Sequence, residues 1–73
     1  RRLGARAEEI AGLEAQRRQA DAVLKLARQD LERQKSLAAD NVAARARLEQ
    51  AQSTAMQAAA RLEQASAALA TAR

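Results

Sequence analysis

The sequence contains no cysteine, no histidine, no proline and no Phe, Tyr or Trp. Without Cys and His there can be no disulfide, zinc finger, haem attachment, or thiol or imidazole catalysis. The lack of Cys fits any compartment and identifies none. Without aromatics an ordinary globular core is out of reach, because those side chains bury the largest areas. Apolar residues make up 48% of the chain, but most are Ala, which buries little. No apolar run reaches the ~18 residues of a membrane span. The chain begins Arg1-Arg2-Leu3-Gly4, without the apolar stretch of a signal peptide.

A chain of 73 residues is at most one small domain, or a piece of one. Below ~70–80 residues one core supplies little stability without disulfides, metal or partners. What remains is Ala, Leu, Glu, Gln, Arg and Lys at periodic spacing, the composition of coiled coils and long helices. Ala favours the helix and lets two helices approach closely.

From Leu48 the apolar positions step by 3 and 4 through Ala51, Ala55, Ala58, Leu62, Ala65, Leu69 and Ala72. That is an unbroken coiled-coil seam. One of its edges carries Leu48, Leu62 and Leu69, and the other only Ala. The first half has a rougher seam, with Leu3, Ile10, Arg17, Leu24, Leu31 and Ala38 on one edge. Arg6, Leu13, Ala20, Ala27 and Gln34 form its other edge. Val23, Leu26 and Leu37 widen the stripe, so this helix can face more than one neighbour. Helix-stabilising pairs at i, i+4 are expected at Glu14–Arg18, Arg17–Asp21, Asp21–Lys25, Arg28–Glu32 and Arg45–Glu49.

The two seams disagree in register across 38–48. Carried forward from Ala38, the first lands on Asn41, Arg45, Leu48 and Gln52. Carried back from Leu48, the second lands on Ala44 and Asn41. Asp40 and Asn41 are poor inside helices and good at caps and turns. The spacing therefore predicts an all-α fold, a two-helix antiparallel coiled-coil hairpin. Its helices span 5–38 and 43–73, joined by a turn at 39–42. The alternative is a register stutter in one continuous coiled coil. Gly4 interrupts the helical pattern, and Glu8 and Glu9 then fall in the first turn, where acids complement the helix dipole.

No enzyme constellation is present. Glu8-Glu9 is the only adjacent acidic pair, and it reads as a helix start. Ser36, Ser53 and Ser66 have no His to activate them, and Lys35 next to Ser36 diverges from it on a helix. Gly4 and Gly12 are isolated, so no phosphate loop exists. Catalytic, cofactor and metal sites are all expected to be absent. The net charge of +4 raises nucleic acid as a partner. Yet Arg17, Arg18, Arg45 and Arg47 are interleaved with acids, and stacking aromatics are lacking. A membrane-surface helix would need Trp, Phe or more Leu on its apolar face. Protein–protein packing remains.

The stretch "ERQKSLAADNVAARARLEQA", residues 32–51, carries a further signal. Its R-x-x-x-L at Arg33 and Leu37, a short turn, and "LEQA" at Leu48–Ala51 resemble the hairpin tip of HlyD-type membrane fusion proteins. These are the periplasmic adaptors of tripartite efflux pumps and type I secretion systems. "LGARAEEI" at residues 3–10 resembles the start of the hairpin in adaptors that serve ABC-type exporters. A-x-x-x-L-x-x-A steps in both helices fit the same pattern, and the resemblance covers essentially the whole chain.

The resemblance implies a hairpin inserted between two halves of a lipoyl-like domain and followed by a β-barrel domain. It implies hairpins packed side by side into a funnel. Their tips would meet a TolC-type outer-membrane channel through an Arg, a Leu and a Ser. The rest of the adaptor would anchor to the inner membrane and reach the ABC-type exporter. Carried over by position, the Arg is Arg33 and the Leu is Leu37. The Ser position, seven residues after Leu37 and five before Glu49, holds Ala44. Asp40-Asn41 replaces the usual Gly of the turn. The docking tip implied is Arg33, Leu37, Asp40, Asn41 and Ala44. The plain alternative pairs Arg33 with Asp30 on the helix face and leaves Leu37 to cap the seam. Two other readings are a generic coiled-coil tether without a turn and, third, a basic helix associated with nucleic acid.

Overall fold

Ala, Leu, Arg, Gln and Glu lose little freedom in a helix, and nothing in the sequence interrupts them for thirty residues at a time. In the computed structural model, which describes residues 2–39 and 41–73 and the side chains of 5–39 and 41–73, they form two helices. Helix α1 spans Arg2–Leu37 and helix α2 spans Val42–Ala72. They pack antiparallel along their whole length as a rod of 61 × 14 × 12 Å. The turn between them replaces the alternative of one continuous helix.

The bounds differ from those read from the sequence. Helix α1 begins at Arg2 rather than residue 5 and runs through Gly4. A single Gly costs only ~1 kcal/mol relative to Ala, too little to stop a helix. Glu8 and Glu9 therefore lie beyond the first turn, which holds no acid. At the other end α1 stops at Leu37, although Ala38 still donates its N–H to the Gln34 carbonyl at 2.9 Å. Asp40 and the side chain of Leu3, both assigned roles from the sequence, lie outside the described residues.

Asn41 starts the second helix. Its backbone is extended, at φ −116° and ψ 122°, and its side-chain oxygen accepts a hydrogen bond from the Ala44 N–H at 3.0 Å. The Asn41 carbonyl meanwhile accepts the N–H of Arg45 at 3.0 Å, the first bond of the helix ladder. No described residue has a positive φ, so the described part of the turn makes no demand for glycine. Asn41→Ala will lower the stability of the hairpin by about 1 kcal/mol, and Asn41→Asp or Asn41→Ser will retain most of it. Thermal unfolding followed by circular dichroism checks this.

The core is one seam between the helices. Leu24 and Ala27 pack with Ala55 and Ala58, and Leu31, Ala59 and Leu62 close over them. All eight α2 positions from Leu48 to Ala72 in the 3–4 series are buried or half-buried. On α1, Leu24 and Ala27 are buried, while Ile10, Leu13, Ala20, Leu31, Gln34 and Ala38 are half-buried. Arg17 is exposed, because its long stem carries the guanidinium out to water. Leu thus sits over Ala, which holds the axes close. No described polar side chain is buried.

Cross-helix polar contacts cluster at the open end. The Arg6 guanidinium donates to the Ala72 carbonyl, and Arg73 pairs with Glu14 at 2.8 Å. This takes Glu14 away from its expected partner, Arg18. Glu32 likewise pairs with Lys35 at 3.3 Å, not with Arg28. Of the five pairs expected at i, i+4, Asp21–Lys25 forms, at 3.2 Å. Such pairs are worth only a few tenths of a kcal/mol on an exposed face, so small rotamer preferences decide among partners.

Candidate functional site

The closed end of the rod is where chemistry or contact could concentrate, and it is built from the last turn of α1 and the first turn of α2. Seam residues turn inward here as elsewhere, so an outward residue at the tip is free of intramolecular work. Leu37 is 60% exposed and Val42 is 83% exposed. They flank the turn on either side, and each is largely in water. Leu37 was singled out by the sequence; Val42 was read only as part of the turn. The signal that could have found it is its place just after a capping Asn, on the first turn of a helix and off the seam.

Arg33 lies one turn below Leu37 on α1. Its guanidinium donates to the Asp30 carboxylate at 3.0 Å, and the Gln34 side chain donates to the same oxygen at 3.4 Å. Both members of the Arg33–Asp30 pair are substantially exposed, at 61% and 45% of the side chain. An exposed pair of this kind is worth at most ~1 kcal/mol, so it can be exchanged for an intermolecular one. A guanidinium also has five N–H donors and can serve two acceptors at once.

Ala44 sits apart from these residues. It is only 5% exposed, and its methyl group belongs to the top of the seam. The register carried back from Leu48 already placed it there. A side chain at this position points between the helices, whereas Arg33, Leu37 and Asn41 are exposed to solvent. The structure thus leaves Leu37, Asn41 and Val42 exposed around the turn, with Arg33 one helical turn before Leu37, and turns Ala44 inward.

Among the described residues the tip shows no acid–base or nucleophilic arrangement. Ser36 donates its hydroxyl to the Glu32 carbonyl one turn back at 3.2 Å, a bond within the helix. Among the described residues no cluster of three His, Cys, Asp or Glu could hold a metal ion. No helix is long and apolar enough to cross a membrane. What the tip offers is exposed apolar side chains on both sides of the turn, with the Arg33 cation one helical turn away, at the far end of a long arm.

The family model for the RND MFP, alpha-helical hairpin domain, matches residues 9–73. No curated protein and no solved structure matches the chain.

Proposed function

Because the chain belongs to the α-helical hairpin domain family of RND membrane fusion proteins, we propose that it is the projecting arm of a periplasmic adaptor. In this reading the adaptor links an inner-membrane transporter to an outer-membrane channel, and the hairpin carries out no reaction. The matched family supports an inner-membrane partner of the RND class. An ABC-type exporter rests on "LGARAEEI", of which only Glu9 and Ile10 fall inside the matched stretch. Self-association of hairpins and docking of the tip onto a TolC-type channel complete the assignment. Efflux fits this arrangement better than secretion, again on the matched family.

The observation that carries docking is the exposed pair Leu37 and Val42 at the end of the rod. Apolar side chains held in water at the farthest point of an arm gain free energy when a partner covers them. Arg33 adds a polar contact that costs only its exposed link to Asp30. Asn41 remains bound to the Ala44 N–H and acts on docking by fixing the first turn of α2.

Leu37→Ser combined with Val42→Ser will lower export by at least about tenfold in the full-length protein, with abundance and helix content unchanged. Losing two buried apolar side chains at an interface is worth well over the ~1.4 kcal/mol that a factor of ten requires. Arg33→Asp will weaken export less. Export at the original level in the double variant would remove the tip from the docking site. The generic tether reading has no specific observation in its favour beyond the coiled-coil pattern itself.

A further inference from the structure

The two helices present their charges to the closed end in opposite ways. A helical side chain leans toward the N-terminus of its own helix. On α1 that direction leads away from the tip, and on α2 it leads toward it. The α1 cations near the tip follow this rule. Arg33 is bonded back to Asp30 at 3.0 Å and Lys35 back to Glu32 at 3.3 Å, each partner three residues nearer the open end. On α2, Arg45 and Arg47 are exposed and form no ion pair with any described acid.

Nothing described in the hairpin explains Arg45. Asn41 caps α2, so Arg45 closes the first turn, at the positive end of the helix dipole, and that turn holds no acid to offset it. A cation placed there is mildly unfavourable. Glu49 stands four residues on, yet the two do not pair. An acid that follows its cation is the weaker order of that spacing. Arg45 and Glu49 instead line an open groove with Val42 and Ala46 along the first two turns of α2. Val42, at the end of the rod, is 83% exposed. Arg47 does not line this groove. A residue that breaks a local rule with no compensating contact in its own chain is expected at a functional surface.

We infer that this groove selects the docking partner, and that Arg45 receives an Asp or Glu carboxylate of the partner, set beside an apolar side chain that covers Val42. Charge complementarity picks out that occupant. An acid with an apolar neighbour satisfies both Arg45 and Val42, whereas a basic segment is repelled. Glu49, two turns from Val42, disfavours a second acid deeper in the groove and so confines the partner's acid to the end of the rod. Arg33 meets a partner by exchanging its bond to Asp30, while Arg45 has no bond to a described acid to give up. The inference rests on the docking reading above and adds to it the selecting residue and the chemistry selected.

The test uses the full-length protein in cells that carry its transporter and channel. Arg45→Glu should lower export at least about fivefold, while the purified protein melts no lower than the parent, because an acid suits that turn of the helix. Arg45→Lys should export as the parent does, and Arg47→Glu should stay within about twofold of it. Carbodiimide treatment of envelopes carrying Arg45→Lys joins the new amine to any carboxylate held against it, as an amide. It should give a link to the outer-membrane channel that the parent protein does not give. An added link to a second copy of the adaptor instead, or no added link, would overturn the proposal. So would loss of export together with lower melting, which would assign Arg45 to the fold. Normal export by Arg45→Glu, with export lost in Leu37→Ser combined with Val42→Ser, would sink this inference and leave the docking reading standing. Normal export in both would sink the two together.

Discussion

Ala58→Glu will collapse the hairpin. Ala58 is 4% exposed and packs in the cluster with Leu24, Ala27 and Ala55. No described polar side chain is buried near it to receive a carboxylate. The charge must either enter the seam unpaired or force the helices apart, exposing Leu24, Leu31 and Leu62. An uncompensated buried charge costs about 3–5 kcal/mol. Two helices have no second core to fall back on, so that cost is of the order of the whole stability of a small domain. The expected result is a large fall in melting temperature with loss of helical signal in circular dichroism. Ala60→Glu, two residues on, on the opposite face and exposed, serves as the control and should melt as the parent does. Equal melting of the two variants would contradict the seam.

Leu24→Ala will destabilise by about 2–5 kcal/mol, through lost transfer free energy and the void left between the helices. Leu24 is 4% exposed, the most buried residue of α1. Its neighbour Leu26, two residues on, is 65% exposed and faces away from the seam. Leu26→Ala should leave the melting of the isolated hairpin within about 0.5 kcal/mol and weaken association between copies instead. The two substitutions delete the same atoms. Chemical denaturation at low protein concentration reads the first effect, and sedimentation reads the second. If both act on the same property, the division of α1 into an inner seam and an outer flank is wrong.

Much of this was legible before the structure. The 3–4 series from Leu48 to Ala72 is buried or half-buried at every position, because a period of 3.5 leaves a helix no other face to hide. The clash of registers across 38–48 located the turn, and Asn41 proved to be the cap that its type suggests. The start of α1 was harder, since one Gly weakens a helix without ending it. Ala44 shows two kinds of reading in conflict. Counting from Leu37 and Glu49 made it part of a docking surface, while the register placed it on the seam, where it is 5% exposed. The ion pairs were the least legible, because energies of a few tenths of a kcal/mol separate the candidates.

The level pairing of the helices has a consequence for how such an arm changes its reach. The apolar seam residues of α1 pack against those of α2, so an insertion or deletion in a single helix slides every later match out of place. Length can therefore change only by a whole heptad in both helices together. Each such change alters the span by about 10.5 Å, from seven residues at 1.5 Å each. The hairpin behaves as a ruler graduated in fixed steps. Any distance it has to reach must be met by a whole number of them.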